Sequence, residues 1–343
     1  MKLAFCCALR VTRLVELWLD DAPGERCAAL VEDGRIVEIH VEREGEFVVG
    51  EVGSARIARK NRVGAYLQTQ DGREILVRRN VSLPEGSPVC FQISRAAIAE
   101  PGLIKLAEAR VIDSEPRSFP AIDVLWAKRI EMPDATKRHR RDISEGYDAA
   151  LAGRSVNEEA VISFQRTKAG LVFDIDGTGD PLAINMAAAR DIARLLRLYQ
   201  VGAMVMIDFI AVESKRDRQL VAEAFDQASA VDTRAFERTA INGFGMMQVV
   251  RARPRPSVLD ILFGTRIAAL SDETQALWLL REASKSTGFG ARTITALPAV
   301  ARLLNASSWQ AKLQSCQQLI GAPLSIVADP MIPGYGHVHV SQA

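Results

Sequence analysis

Apolar positions along the chain fall into successive rhythms, and each predicts a different kind of structure. Near the start, apolar runs at 27–31 and 36–39 flank Glu32-Asp33-Gly34-Arg35, the signature of a β-hairpin closed by a tight turn. Residues 46–115 read as short strands at 47–52, 64–69, 74–77 and 89–94, with Asp71-Gly72 as a turn and Pro84-Glu85-Gly86 as a loop. About five short strands in a stretch of this length suit a small barrel such as an OB-fold. Residues 116–165 lack a clear period and predict a charged connector, partly helical over 142–152.

Beyond residue 166 strands alternate with helices. The run 171–175 predicts a strand. Over 182–198, Ile184, Ala188, Ile192, Leu195 and Leu196 recur at helical spacing, and 202–210 predicts a second, buried strand. A helix over 214–230 follows, opened by Ser214 as its cap, and Pro254 and Pro256 close the unit. The remainder predicts helix 272–285, strand 292–296, helices 298–304 and 308–320, and strand 323–328, a small α+β domain. The expected division is an N-terminal β segment at 1–45, a barrel at 46–115, a connector at 116–165, an α/β unit at 166–262 and an α+β domain at 263–343.

Composition adds bounds rather than direction. With 48% hydrophobic and 25% charged residues the chain is globular rather than disordered, and a net charge of +1 points to no class of partner. Charge is concentrated locally at 137–141 and at Arg251, Arg253 and Arg255. The barrel surface is expected to carry Arg56, Arg59, Lys60, Arg62, Arg73, Arg78 and Arg79 with Tyr66 among them. Cations around an aromatic suit single-stranded nucleic acid; a solvated face with a half-buried tyrosine fits the same pattern. Cys6, Cys7, Cys27, Cys90 and Cys316 form no CxxC pair, which fits reduced thiols. The apolar run 3–9 superficially resembles a signal peptide, but Arg10 interrupts it and no small-x-small site follows before Asp20-Asp21. The run 201–212 is too short to span a bilayer. The expectation is a cytoplasmic protein without a membrane span.

Candidate chemistry sits at strand ends. Asp174 and Asp176 are two apart, so their side chains share a face, and Asp208 closes the next strand. A strand–helix–strand unit brings parallel strand ends together, so three carboxylates are expected to converge. Mutual repulsion is then relieved by a hard cation, and magnesium suits oxygen ligands. The string Phe173-Asp174-Ile175-Asp176-Gly177-Thr178 also matches the opening DxDGT motif of haloacid dehalogenase-like phosphatases. No acidic motif of the kind that family needs follows Asp208.

A longer resemblance runs through most of the chain in order. Residues 28–38, Ala-Ala-Leu-Val-Glu-Asp-Gly-Arg-Ile-Val-Glu, are followed by Gly50-Glu51-Val52 and Val63-Gly64-Ala65-Tyr66-Leu67. Further on come 190–198, Arg-Asp-Ile-Ala-Arg-Leu-Leu-Arg-Leu; Val205-Met206-Ile207-Asp208-Phe209-Ile210; Phe244-Gly245-Met246-Met247-Gln248; residues 251–257; and Leu297-Pro298-Ala299-Val300-Ala301. Together these resemble the ribonuclease E/G family, with the helix and the following VMIDFI run the most specific part. The resemblance implies an OB-fold RNA-binding barrel, a deoxyribonuclease I-like α/β catalytic domain and a small C-terminal α+β domain, with 1–45 a remnant of an RNase H-like region.

The resemblance also implies an endoribonuclease that cuts single-stranded RNA with Mg²⁺, in RNA processing (ribosomal RNA included) or decay. Asp174 and Asp208 are then the metal ligands, with Asp176, where the family carries asparagine, and Asn185 orienting them or the attacking water. Tyr66 falls at an RNA-stacking position, with Arg56, Lys60, Arg62, Arg73 and Lys105 as RNA-binding cations. A second stacking position falls near Ile75, which has no ring. No cysteine lies between Pro256 and Asp272, so neither the family's zinc link nor its zinc-held dimer is expected, although another oligomer is compatible. Residues 116–165 are too short for the family's 5′-end sensor, and Lys168 stands where the family has a glutamate. These departures leave open a non-catalytic RNA-binding protein derived from the same family.

Overall fold

The computed structural model describes residues 15–79, 81–113, 115–116 and 138–341. Cys6, Cys7, the apolar run 3–9, Lys137 and the first part of the expected connector lie outside the described residues.

The first unit is a sheet of β1 (Val15–Ala22), β2 (Glu25–Glu32) and β3 (Arg35–Arg43). β2 and β3 form the expected hairpin, and Asp33 and Gly34 both take positive φ, the backbone that a tight two-residue turn requires. A short strand, Arg138–Arg140, pairs with the outer side of β1. A hydrophobic cluster from Trp18 to Phe263 joins this sheet to the α/β unit.

The second unit is a closed barrel of five strands: β4 (Val52–Lys60), β5 (Ala65–Gln68), β6 (Glu74–Val77), β7 (Pro88–Arg95) and β10 (Ala107–Ile112). Its strand order and closure are consistent with an OB-fold. A hairpin of β8 (Ile98–Glu100) and β9 (Leu103–Lys105) interrupts it. The first barrel strand begins at Val52, not at residue 47. Along β4, Ala55 and Ile57 face inward between the exposed Ser54, Arg56 and Ala58, the period of two that marks a half-buried strand.

The third unit is a six-stranded sheet with the order β12-β13-β14-β15-β17-β16. It comprises β12 (Arg154–Val156), β13 (Val161–Arg166), β14 (Leu171–Asp176), β15 (Ala203–Asp208), β16 (Phe236–Arg238) and β17 (Met246–Arg251). β12 and β13 fall within the stretch read as a connector, yet they are hydrogen-bonded members of this sheet. After a short helix α1 (Asp148–Ala152), helix α2 (Pro181–Leu198) links β14 to the parallel β15, and α3 (Lys215–Ser229) follows β15. Asp180 caps α2 by accepting from the Leu182 and Ala183 amides, and Ser214 caps α3 as its sequence position predicts. Phe173, Ile175, Val205, Ile207, Met247 and Val249 form the buried face of the sheet. The alternate residues face the other way.

The last unit packs α5 (Asp272–Lys285), α6 (Pro298–Leu304) and α7 (Gln310–Ile320) on a sheet of β18 (Arg292–Ala296), β19 (Leu324–Ala328) and β20 (His337–Val340), the α+β pattern expected. The short helix α4 (Val258–Phe263) leads into it.

Buried ion pairs wire the units together. Arg197 of α2 reaches Glu38 on β3 at 3.0 Å and Glu32 on β2 at 2.6 Å. Arg253 meets Glu100 of the barrel hairpin at 2.6 Å and Asp260 at 2.8 Å. Arg251 pairs with Asp232 inside the protein, and Arg255 lies 3.1 Å from His40. The basic stretch 251–255 is therefore interior wiring. No helix among the described residues is long and apolar enough to cross a membrane.

Candidate functional site

β14 and β15 run parallel because α2 returns the chain to the same edge. In their register Phe173 partners Ile207 on the buried face and Asp174 partners Asp208 on the open face. Adjacent strands lie about 4.8 Å apart, so the two carboxylates are neighbours on one exposed surface. The same row extends to Ser163 on β13 and Met246 on β17.

Asp176 shares the face but sits two residues beyond the end of β15, opposite Val161, with no partner on that strand. Among the described residues no group of three His, Cys, Asp or Glu side chains is gathered closely enough to hold a metal ion. The expected convergence of three carboxylates is thus corrected to a pair. The reason is register: β15 stops level with Asp174, so nothing on it faces Asp176.

Asn185 proves to be a clip. It is fully buried in α2; its Nδ2 donates to the Ile210 carbonyl at 2.7 Å and its Oδ1 accepts from the Ile210 amide at 3.0 Å. With both ends so engaged it fixes the chain two residues beyond Asp208 and does not point at the acid pair. Lys168 lies in the turn before β14, at the opposite end of that strand from Asp174, so its charge does not enter the site.

The cations expected on the barrel divide by what they touch. Arg59 stacks its guanidinium 3.5 Å from the Tyr66 ring centre and pairs with Glu74. Arg56 donates to the Gly86 carbonyl, and Lys60 to the Val81 carbonyl at 2.6 Å. Arg73 is held by Asp71 and the Gly45 carbonyl and lies over Phe47, so it braces the barrel. Lys105 pairs with Glu100 at 2.7 Å on the hairpin outside the barrel. Arg62 is exposed and makes no ion pair among the described residues. Tyr66 is half-buried on the outer face, whereas Ile75 is fully buried in the barrel core, where no base can reach it.

Two features at the acid end went unread as chemistry. Phe244 is 85% exposed in the turn that leads into β17 beside β15. Lys215 and Arg216 are exposed in the first turn of α3, where cations oppose the helix dipole and an anion is favoured. The available signal for Lys215 and Arg216 was position, shortly after the strand that ends in Asp208; for Phe244 it was the 244–248 stretch of the family resemblance.

The ribonuclease E/G family model matches residues 157–254, which contain β13 to β17, both members of the acid pair, and Asn185. Over this segment the chain is similar to the ribonuclease E/G family. A chloroplastic ribonuclease E/G-like protein of Arabidopsis thaliana is 36% identical over 77 residues, 22% of this chain and 8% of the relative. Ribonuclease G of Salmonella typhimurium is 37% identical over 81 residues, 23% of this chain and 16% of the relative. Ribonuclease E of Nostoc sp. is 34% identical over 80 residues, 23% of this chain and 12% of the relative. The matched stretch thus spans between 8% and 16% of these relatives' own length. In ribonuclease E/G terms, the match covers the acid-bearing sheet and leaves the barrel outside it.

Proposed function

We propose that this chain is a magnesium-dependent endoribonuclease acting on single-stranded RNA, in RNA processing or decay in the cytoplasm. The observation that carries this reading is the register pairing of Asp174 with Asp208 on an exposed sheet face, inside the segment that matches the ribonuclease E/G family. On this reading the barrel is an OB-fold RNA-binding domain and the six-stranded sheet a deoxyribonuclease I-like catalytic domain.

The residues fit magnesium. Two hard oxygen donors on neighbouring strands, open to solvent, suit an ion that keeps several waters and takes one or two protein carboxylates. Asp174 and Asp208 would hold the ion, which would supply a water of lowered pKa and screen a phosphodiester's charge. The protein's own part is placement. The buried rows Phe173–Ile207 and Ile175 fix both strands, and Asn185 holds Ile210 so that the Asp208 end cannot splay. Lys215 and Arg216 attract the RNA phosphates towards this edge, and the barrel grips the strand farther along through Tyr66 and Arg62. An open surface suits a polymer threading past, where a small substrate needs an enclosing pocket.

The deciding assay uses purified protein on unstructured RNA with and without Mg²⁺, comparing wild type with Asp208→Asn. Cleavage that needs Mg²⁺ and disappears in the variant is expected. Tight RNA binding without cleavage in either protein replaces the nuclease reading with that of an RNA-binding protein on the same scaffold.

A further inference from the structure

We infer that Phe244 is a stacking platform for the base of the nucleotide beside the scissile phosphate, and that it makes cleavage depend on that base being unpaired. This inference rests on the nuclease reading of the acid pair.

Exposure alone carries nothing, since Phe289 in the C-terminal unit is 98% exposed with no such chemistry beside it. What sets Phe244 apart is its mounting. Asn242 Oδ1 accepts from the Phe244 amide at 2.9 Å and from the Met246 amide at 3.1 Å, and the Asn242 amide donates to the Met246 carbonyl at 3.0 Å. The next residue, Gly245, has φ +91°, and a Cβ there would lie 2.2 Å from the Phe209 carbonyl oxygen. Only glycine permits that approach. The Phe209 amide donates to the Gly245 carbonyl at 3.1 Å. Phe209 directly follows Asp208, so the turn bearing the ring is hydrogen-bonded to the chain beside one member of the acid pair. Met246, two residues after Phe244, stands level with Asp208 across the β15–β17 register.

A rigid turn thus presents an unpacked ring where a nucleotide adjoining the reacting phosphate passes. A phenyl face has no donor or acceptor, so it stacks on any base without reading its identity. A base within a duplex already has its faces covered by its neighbours and its edge paired, and it reaches such a ring only by leaving the stack. Phe244 therefore selects strandedness and not sequence.

The test uses the full chain, wild type, Phe244→Ala and Phe244→Trp, with a short unstructured RNA carrying 2-aminopurine or an abasic site on either side of the cut. Because the ring is exposed, all three proteins are expected to melt alike. Phe244→Ala is expected to raise KM by roughly 5- to 100-fold, the range that stacking one base provides, with kcat little changed. It should also remove the wild type's preference for the intact over the abasic RNA, and Phe244→Trp should keep both properties. Binding to wild type should quench 2-aminopurine next to the cut, and binding to Phe244→Ala should not. Cleavage with KM, abasic preference and quenching unchanged in Phe244→Ala overturns the inference and leaves the nuclease reading standing. Quenching that depends on Phe244 without any cleavage overturns the nuclease reading and keeps the stacking role. Absence of RNA binding by the wild type overturns both.

Discussion

Asn185 and Ile210 exchange two hydrogen bonds across the gap between a helix and a strand end, so one buried amide side chain substitutes for a missing rung of the sheet beyond Asp208. The Asn185 side chain thus braces the chain just beyond the Asp208 carboxylate.

Removing that clip leaves two part-buried backbone groups without partners. Asn185→Ala is expected to cost about 1–3 kcal/mol of stability, the penalty for orphaning such groups. RNA cleavage should fall even where the variant is fully folded, because the Asp208 end is released. Thermal melting and a cleavage assay at a temperature well below the transition separate the two effects.

The Asp174–Asp208 pair predicts a metal-dependent stability. Mg²⁺ binds only the folded arrangement, so it should raise the melting temperature of wild type; at a hundred times the dissociation constant the gain is about 2.7 kcal/mol. Asp174→Asn and Asp208→Asn should each abolish the magnesium-induced shift, whereas Asp176→Asn should keep it. Scanning calorimetry with and without Mg²⁺ reads this directly; an equal shift in all four proteins would place the ion elsewhere.

Arg197 predicts how the N-terminal sheet is held. Its partner Glu38 is 1% exposed, so Arg197→Met leaves a buried carboxylate with its principal counter-charge gone. Breaking a buried pair from one side costs about 3–5 kcal/mol. Denaturant unfolding should show the loss, and the double variant Arg197→Met with Glu38→Gln should recover part of it.

Glu100 predicts an acid-sensitive joint between barrel and sheet. Burial by itself raises its pKa, but hydrogen bonds from Lys105 and Arg253 outweigh burial and hold it below the usual glutamate value. A depressed folded pKa contributes stability above the unfolded value of about 4.3 and loses it as the pH falls through the folded value. Hydrogen-exchange protection in the β8–β9 hairpin, taken relative to the intrinsic rate, should therefore fall as the pH drops below about 4. Glu100→Gln should show one lowered protection across the same window.

Much of this architecture was legible in the residues, for identifiable reasons. β14, α2 and β15 were readable because a buried strand is a short apolar run and α2 keeps its apolar residues at helical spacing. The aspartates then marked where burial stops. β13 was hidden because Arg166, polar in the sequence, lies inside the fold, where Asp260 and three backbone carbonyls satisfy it. Arg251 and Arg253 misled in the same way: an arginine in a string does not reveal whether water or a buried carboxylate surrounds it. The start of the barrel was misplaced because 47–49 is an apolar run without alternation, while the true strand alternates the buried Ala55 and Ile57 with the exposed Ser54, Arg56 and Ala58. The contact that Asn185 makes is to a backbone group 25 residues away, which no local pattern encodes.

The cluster that runs unbroken from Trp18 to Phe263 sets a limit on dissection. A fragment trimmed to the recognisable stretch, 157–254, would strip the cover from Tyr199 and Ile192 and leave Arg197 facing solvent where two glutamates had been. Such a piece retains every acid of the proposed centre and yet has lost the walls that keep its strands aligned. The portion easiest to recognise by descent is, for this protein, not a portion that folds by itself.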